Sequence, residues 1–524
     1  MCWRRVSTSA LGSLLVLVIA DASAAQGTGN PGTWEADVAS FIERTLTAEH
    51  VPGAQVAAVA GGRLIWSRGY GFANVGERVA VEPGTVFRAA SVSKLFTATL
   101  VMRQVEAGRV GLDDRVNDYL EPPGRLRDRD GNEAPVTIRQ LLSHSSGLAV
   151  SWLPWASVRA YLFGGPQPTF EDNVSGGFVL TYPPGQRIVY ANPGYWLLGR
   201  LAARLTGEPF EAAVANGVLA PLGMTSSDFR PLPALTERQA VPYRRSGDDF
   251  EPVLGPRALP VNPAASLLTT AEDLARFAGM VIENGETSDG RLLAPETLAE
   301  MRRLQVRQDP ALETGYGLGF MVGQHRGRAM IWHDGGDPGV STRLAILPAE
   351  RIAVAVLMNA STADAPQRVA TRVLDALLGD AASFDVAHAR RQRMPPAWRR
   401  QSGTYRAVDS VPPGLALLQF FAPFRVEASN GVLRMRGNSF LPLDAVLEPT
   451  DDDGVYVLHG DARDGERVVF RDTDGNIDAY LEIIHLRRIP PYLTPGVLIL
   501  STVAAALLVL FTWLRRRARS GKQR

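Results

Sequence analysis

Ser91 and Lys94 stand three residues apart in the run Ser91-Val92-Ser93-Lys94, pairing a hydroxyl nucleophile with an amine able to take its proton. The lysine stands out because the 55 basic residues of the chain include one other lysine only, Lys522. Arginine carries charge equally well, but its guanidinium cannot give up a proton at ordinary pH, whereas a lysine amine can be tuned to do so by burial and neighbours. A lysine kept amid arginine therefore points to proton transfer. Serine three residues before lysine is common, so the tetrapeptide alone identifies no chemistry. A free lysine is neutral in only about one molecule in 2,500 at pH 7, so a site using it as a base has to lower its pKa.

Positioning that pair falls to a helix beginning at Lys94. Leu95, Ala98, Met102 and Val105 line one of its faces, and it stops near Gly108, a favoured residue just past a helix end. With Ser91 in the first turn, its backbone N–H has no intrahelical partner and is free for an oxyanion, while the helix N-terminus disfavours an ammonium. Upstream, Trp34 to Leu46 shows helical spacing, and Gln55 to Ala60 and Arg63 to Tyr70 flank Gly61-Gly62 as a hairpin. Helical and strand patterns alternate over residues 34–381, which predicts one large α+β unit. A linker at 390–400 contains Pro395-Pro396. Residues 401–488 then read as strands punctuated by Asn430-Gly431, Asp453-Gly454, Asp464-Gly465 and Asp474-Gly475, which predicts a small all-β barrel or sandwich. It carries no cluster of catalytic residue types, so a spacer or lid is its cheapest account and a ligand-binding barrel the bolder one.

The ends predict export and anchoring. Residues 1–24 combine Arg4-Arg5, an apolar stretch and Ala22-Ser23-Ala24 in the form of a signal peptide. Residues 494–514 carry no charge and precede the basic tail 515–524, the pattern of one transmembrane helix with a cytoplasmic C-terminus and the folded units outside the cytoplasm. The only cysteine, Cys2, lies in the leader, so the mature chain has no disulfide, thiol nucleophile or cysteine-ligated metal. A net charge of +1, with both signs interspersed, argues against a nucleic-acid partner.

Two further runs complete the pattern: Tyr190-Ala191-Asn192 within 184–195, and His333-Asp334-Gly335-Gly336 within 332–341. Ser91-x-x-Lys94, Tyr190-x-Asn192 and His333-x-Gly335, in that order, resemble the three active-site elements of the serine β-lactamase and penicillin-binding protein superfamily. The nearest branch is that of class C β-lactamases with their D-aminopeptidase and esterase relatives. Flanking runs share the likeness, including Val51-Pro52-Gly53-Ala54, Leu141-Leu142-Ser143-His144-Ser145-Ser146-Gly147-Leu148 and Tyr316-Gly317-Leu318-Gly319.

The resemblance implies an antiparallel sheet flanked by helices, an all-helical lobe and a cleft holding Ser91. It makes Ser91 the acylated nucleophile and Lys94 the proton acceptor, alone or through Tyr190. Asn192 would hold the substrate amide and orient Lys94. His333 and Gly335 would lie on the strand edging the cleft, with the N–H groups of Ser91 and Gly336 forming the oxyanion hole. It implies no metal or organic cofactor and a small-molecule or peptide substrate.

His333 departs from the lysine usual in β-lactamases and transpeptidases. A largely neutral histidine weakens the anchor for a substrate carboxylate, shifting the expectation toward ester or small amide hydrolysis. The resemblance makes the His144 loop structural, and Asp113 and Asp114 read as solvated or capping carboxylates. The absence of G-x-S-x-G around Ser91 argues against α/β-hydrolase chemistry. The expected function is a membrane-anchored serine hydrolase, and the rival is a receptor that binds penicillin or peptidoglycan fragments without turnover.

Overall fold

The computed structural model describes residues 33–122, 124–148, 178–247, 249–253, 262–362, 364–379, 395–408, 423–429, 432–437, 443–460, 465–482 and 484–490. The leader 1–24, the apolar run 494–514, residues 390–394 of the linker and the Asn430-Gly431 turn lie outside these residues. Among the described residues no helix is long and apolar enough to cross a membrane.

Helix α1 (Thr33–Ala48) leads into the expected hairpin, β1 (Gly53–Ala60) and β2 (Arg63–Asn74), followed by the short β3 (Val79–Ala80). A 3-10 turn at Ala90–Val92 opens onto α2 (Ser93–Glu106); α3 (Asn192–Thr206) and α4 (Ala271–Ile282) come later. The chain then returns to the sheet through β4 (Gly315–Tyr316), β5 (Met321–His325), β6 (Arg328–Asp337), β7 (Val340–Leu347) and β8 (Ile352–Met358), and closes with α5 (Ala365–Leu378). The resulting eight-stranded sheet runs β4-β5-β6-β7-β8-β1-β2-β3, so the first hairpin docks beside the last strand, Ala57 opposite Ala355.

Both faces of the central strands are apolar because both are covered. Val56 and Ala58 of β1 pack with Val38 and Ile42 of α1 and Val369 and Val373 of α5, whereas Ala57 and Val59 join Leu95, Phe96 and Phe277 on the opposite face. The two-residue period of a strand makes that division automatic. On β6 the same alternation puts Ile331 in the second of these cores and Trp332 in the first, so His333 and Gly335 share the face toward α2.

Residues 403–489 form a closed barrel of eight strands, β9 (Gly403–Ala407), β10 (Phe424–Ser429), β11 (Val432–Arg436), β12 (Asp444–Pro449), β13 (Val455–His459), β14 (Arg467–Thr473), β15 (Asn476–Leu481) and β16 (Ile484–Ile489). Closure is made by β9 pairing with β16, Thr404 opposite Ile489. Every strand thereby gains two neighbours and no edge is left open. The Asp474-Gly475 turn between β14 and β15 has both residues at positive φ, the geometry that favours this dipeptide.

Candidate active site

Ser91 sits in the 3-10 turn before α2, one step earlier than the expected first helical turn. The turn is pinned from several sides. Ala89 N–H donates to Leu267 O at 2.8 Å, and Thr342 Oγ1 donates to Ala89 O at 2.9 Å. Ser93 Oγ donates to Ala90 O at 2.6 Å and accepts from Leu267 N–H at 3.0 Å. Ala90 has φ +45°, a costly region for a residue with a side chain, which these bonds hold in place beside Ser91. Gly335 is the only residue type that fits opposite, since a Cβ there would lie 2.4 Å from Ala89 O and 2.1 Å from Thr342 Oγ1.

Lys94 is fully buried, with Nζ 3.0 Å from Ser91 Oγ and donating to Ala264 O at 2.9 Å. Burial holds its pKa well below the usual lysine value. The rings of Tyr190 and Tyr195 lie 4.9 and 5.6 Å from Nζ. The hydrogen bond that fixes this amine goes to the main-chain carbonyl of Ala264, and Asn192 Oδ1 is buried with no hydrogen-bond partner among the described residues. Ala264 reaches the amine because Pro263 packs directly against α3 at Gly199, where a Cβ would meet Pro263 Cγ at 2.2 Å. Thr97 Oγ1 donating to Pro263 O at 2.7 Å ties the same segment to α2.

Tyr190 hydrogen-bonds with Ser91, and burial nevertheless pushes its phenol pKa above the ordinary value. A depressed amine and a raised phenol on the same hydroxyl differ in kind: the shift at Lys94 favours its unprotonated form, and the shift at Tyr190 favours the protonated one.

Behind Tyr190 stands a residue the sequence reading set aside. His144 is buried, stacks on Tyr190 at 4.2 Å between ring centroids, and accepts Ala191 N–H on Nδ1 at 3.1 Å. Burial, then the nearby Lys94 and His333, drive its pKa well down, so the ring is neutral with its proton on Nε2. Its φ of +55° is the local cost of turning it inward.

His333 lies on the α2-facing side of β6. It is buried, Nδ1 donates to Asp334 O at 2.7 Å, and Nε2 accepts from Tyr316 Oη at 2.8 Å. Burial, with a smaller contribution from the nearby Lys94, holds its pKa down at about 3. Pairing between β5 and β6 ends at Met321 opposite Trp332, which leaves the stretch from His333 to Asp337 unpaired on that side. Gly336 is exposed there, with open space around the position a Cβ would take. Asp113 and Asp114 are far simpler: Asp113 pairs with Arg139, and Asp114 accepts Gly111 N–H and Tyr119 Oη. Among the described residues no group of three or more His, Cys, Asp or Glu could hold a metal ion.

Two signals were missed in the sequence, Tyr316 and the Ala264 carbonyl. Tyr316 was visible as a flank of the pattern, but nothing in its neighbours marks it as a partner of His333. A main-chain carbonyl has no sequence signature at all.

Comparison with known proteins places this geometry. The chain is 32% identical over 335 residues, 60% of its length and 83% of the other, to penicillin-binding protein 4 of Amycolatopsis lactamdurans. Its fold is similar to that of the octameric penicillin-binding protein homologue from Pyrococcus abyssi, with a TM-score of 0.59 and 24% identity over 87% of this chain and all of that one. It is also similar to EstCE1, described as a hydrolase with promiscuous acyltransferase activity, with a TM-score of 0.55 and 23% identity over 66% of this chain and 98% of that one. The family model Beta-lactamase matches residues 38–378, the span that holds Ser91, Lys94, Tyr190 and His333, and the chain belongs to that family.

Proposed function

We propose that this chain is a membrane-anchored serine hydrolase working outside the cytoplasm, which forms an acyl-enzyme on Ser91 with an ester, small amide or peptide substrate. The observation that carries the reading is the fully buried Lys94 amine 3.0 Å from Ser91 Oγ, with burial lowering its pKa. Its location outside the cytoplasm rests on the leader pattern of 1–24 and the uncharged run 494–514 followed by arginines.

In this reading Ser91 Oγ attacks the substrate carbonyl while its proton passes to Lys94 Nζ. The carbonyl oxygen becomes an oxyanion against the N–H groups of Ser91 and Gly336. The ammonium then returns the proton to the leaving alkoxide or amine, directly or across the Tyr190 hydroxyl, and water or an amine repeats the sequence in reverse to free Ser91. Asn192, whose Oδ1 has no partner among the described residues, supplies an acceptor for a substrate N–H. His333 is neutral and already bonded to Tyr316, so no cation at that position recruits a carboxylate. This favours ester and small amide substrates over penicillins. The similarity to a protein named penicillin-binding supports a second reading, in which the acyl-enzyme forms and persists.

Intact-mass spectrometry of the full-length chain in mild detergent, quenched at intervals after mixing with an activated ester or a penicillin, separates these readings. A transient ester adduct absent from Ser91→Ala is the expected result. A persistent penicillin adduct transfers the weight to the receptor, and no adduct from either substrate removes the acyl-enzyme.

A further inference from the structure

The loop between Arg303 and Tyr316 joins the barrel to both walls of the site. At its base, Gln305 N–H donates to Tyr316 O at 2.8 Å and Tyr316 N–H to Val306 O at 2.9 Å, which fixes the residue whose hydroxyl holds His333. From its middle, Gln308 Nε2 donates to Ile188 O at 2.8 Å, two residues before Tyr190. Its tip belongs to the barrel. Asp309 is buried and takes a two-pronged bond from Arg471 of β14, Nε at 2.9 Å and Nη2 at 3.0 Å. Leu312 packs with Val455 and Val469, and Glu313 pairs with Arg467 at 2.6 Å.

The planar fork of an arginine on a carboxylate is directional as well as strong, so this pair sets an orientation and not merely a proximity. The segment before Tyr190 is also tied to the catalytic unit, where Val189 N–H donates to His144 O at 2.8 Å. We infer that the barrel is a working part of the active site: through Arg471 and Asp309 it holds a bracket whose Gln308 and Tyr316 position Tyr190 and His333. Arg471, Asp309 and Gln308 are positioning residues; none touches Ser91. The inference rests on the reading of Ser91, Lys94 and Tyr190 given above, and it assigns the barrel a role that a spacer, lid or ligand carrier would not have.

A misplacement of about 1 Å at a reacting group costs on the order of a hundredfold in rate, so a loosened bracket has a measurable effect. The test is single-turnover release of p-nitrophenol from a short-chain p-nitrophenyl ester, with the full-length enzyme in detergent at saturating excess. Unfolded molecules leave the saturated rate constant unchanged, so a purely structural defect does not move it. Arg471→Ala and Gln308→Ala are expected to lower that constant tenfold or more. Arg471→Lys, which keeps the charge and loses the fork, falls between them and the parent. A parental rate constant in Arg471→Ala overturns the inference, and where that variant does not fold, a parental constant in Arg471→Lys does the same. Ser91→Ala in parallel isolates the other failure: continued release there removes the acyl-enzyme reading and leaves the bracket without a site to serve.

Discussion

Behind Ser91 the catalytic unit buries Lys94, His144 and His333 together, whereas the barrel fills its interior with Phe424, Leu433, Met435, Leu458, Leu481 and Leu486. The first interior is polar and neutral by compulsion: a dry enclosure holds three ionisable bases below their usual pKa, and each has a hydrogen-bond partner fixed by another element. The second needs few polar partners, with the hydroxyls of Tyr405 and Tyr456 both satisfied by Gln401. Burying a base costs stability and tunes reactivity, while burying leucine only stabilises. One chain can keep such a site because much of the remaining interior is ordinary close-packed hydrocarbon.

The comparison breaks most readily at Lys94. Lys94→Arg keeps the charge and cannot release a proton, so acylation should fall by about a thousandfold or more. Near-parental adduct formation by mass spectrometry would remove Lys94 as the base. In the barrel, Leu458→Ala should cost about 2–5 kcal/mol in denaturant unfolding and leave the saturated single-turnover constant unchanged. A fall in both would mean that the barrel core itself is coupled to the chemistry.

Gly199→Ala should do both at once on a smaller scale. Its Cβ would overlap Pro263, costing about 1–3 kcal/mol of stability and slowing acylation by displacing the Ala264 carbonyl. A stability loss with unchanged acylation would show that the Lys94 amine does not depend on that carbonyl.

The smallest effect is in the pH dependence of stability. His333 has its pKa depressed from 6.5 to about 3, so the unfolded chain binds the proton more readily between those values. Its contribution is therefore present above pH 6.5 and lost as the pH falls toward about 3, and His144 acts in the same direction. His333→Asn should flatten the fall, read from urea midpoints across pH 4 to 6.5. An unchanged slope would mean that His333 is not held neutral.

Local elements were largely legible. Apolar spacing located α1 and the face of α2, Gly61-Gly62 located the first hairpin, and Gly108, at φ +66°, follows the end of α2 as expected. The dipeptides Asp453-Gly454 and Asp474-Gly475 marked turns of an all-β unit, though the pattern left barrel and sandwich open. Closure depends on β9 meeting β16, strands some eighty residues apart whose pairing no local pattern encodes. The lysine that survives among arginines and the two later runs marked Ser91, Lys94, Tyr190 and His333 for the same chemistry, and the fold brings Lys94 and Tyr190 onto the Ser91 hydroxyl with the His333 ring 6.2 Å from that of Tyr190.

What the sequence determined by itself was which residues have proton-transfer chemistry to offer, and which segments form helices and hairpins, because side-chain pKa ranges and short-range periodicity are properties of neighbours along the chain. Only the tertiary structure decided how those residues are set. It gave Lys94 its hydrogen bond to Ala264, 170 residues away, turned His333 onto Tyr316, stacked His144 on Tyr190, and placed Arg471 of the barrel on Asp309. Each of those is a contact between distant segments, several through a main-chain carbonyl, and burial itself, which shifts the three bases, exists only once the segments have packed.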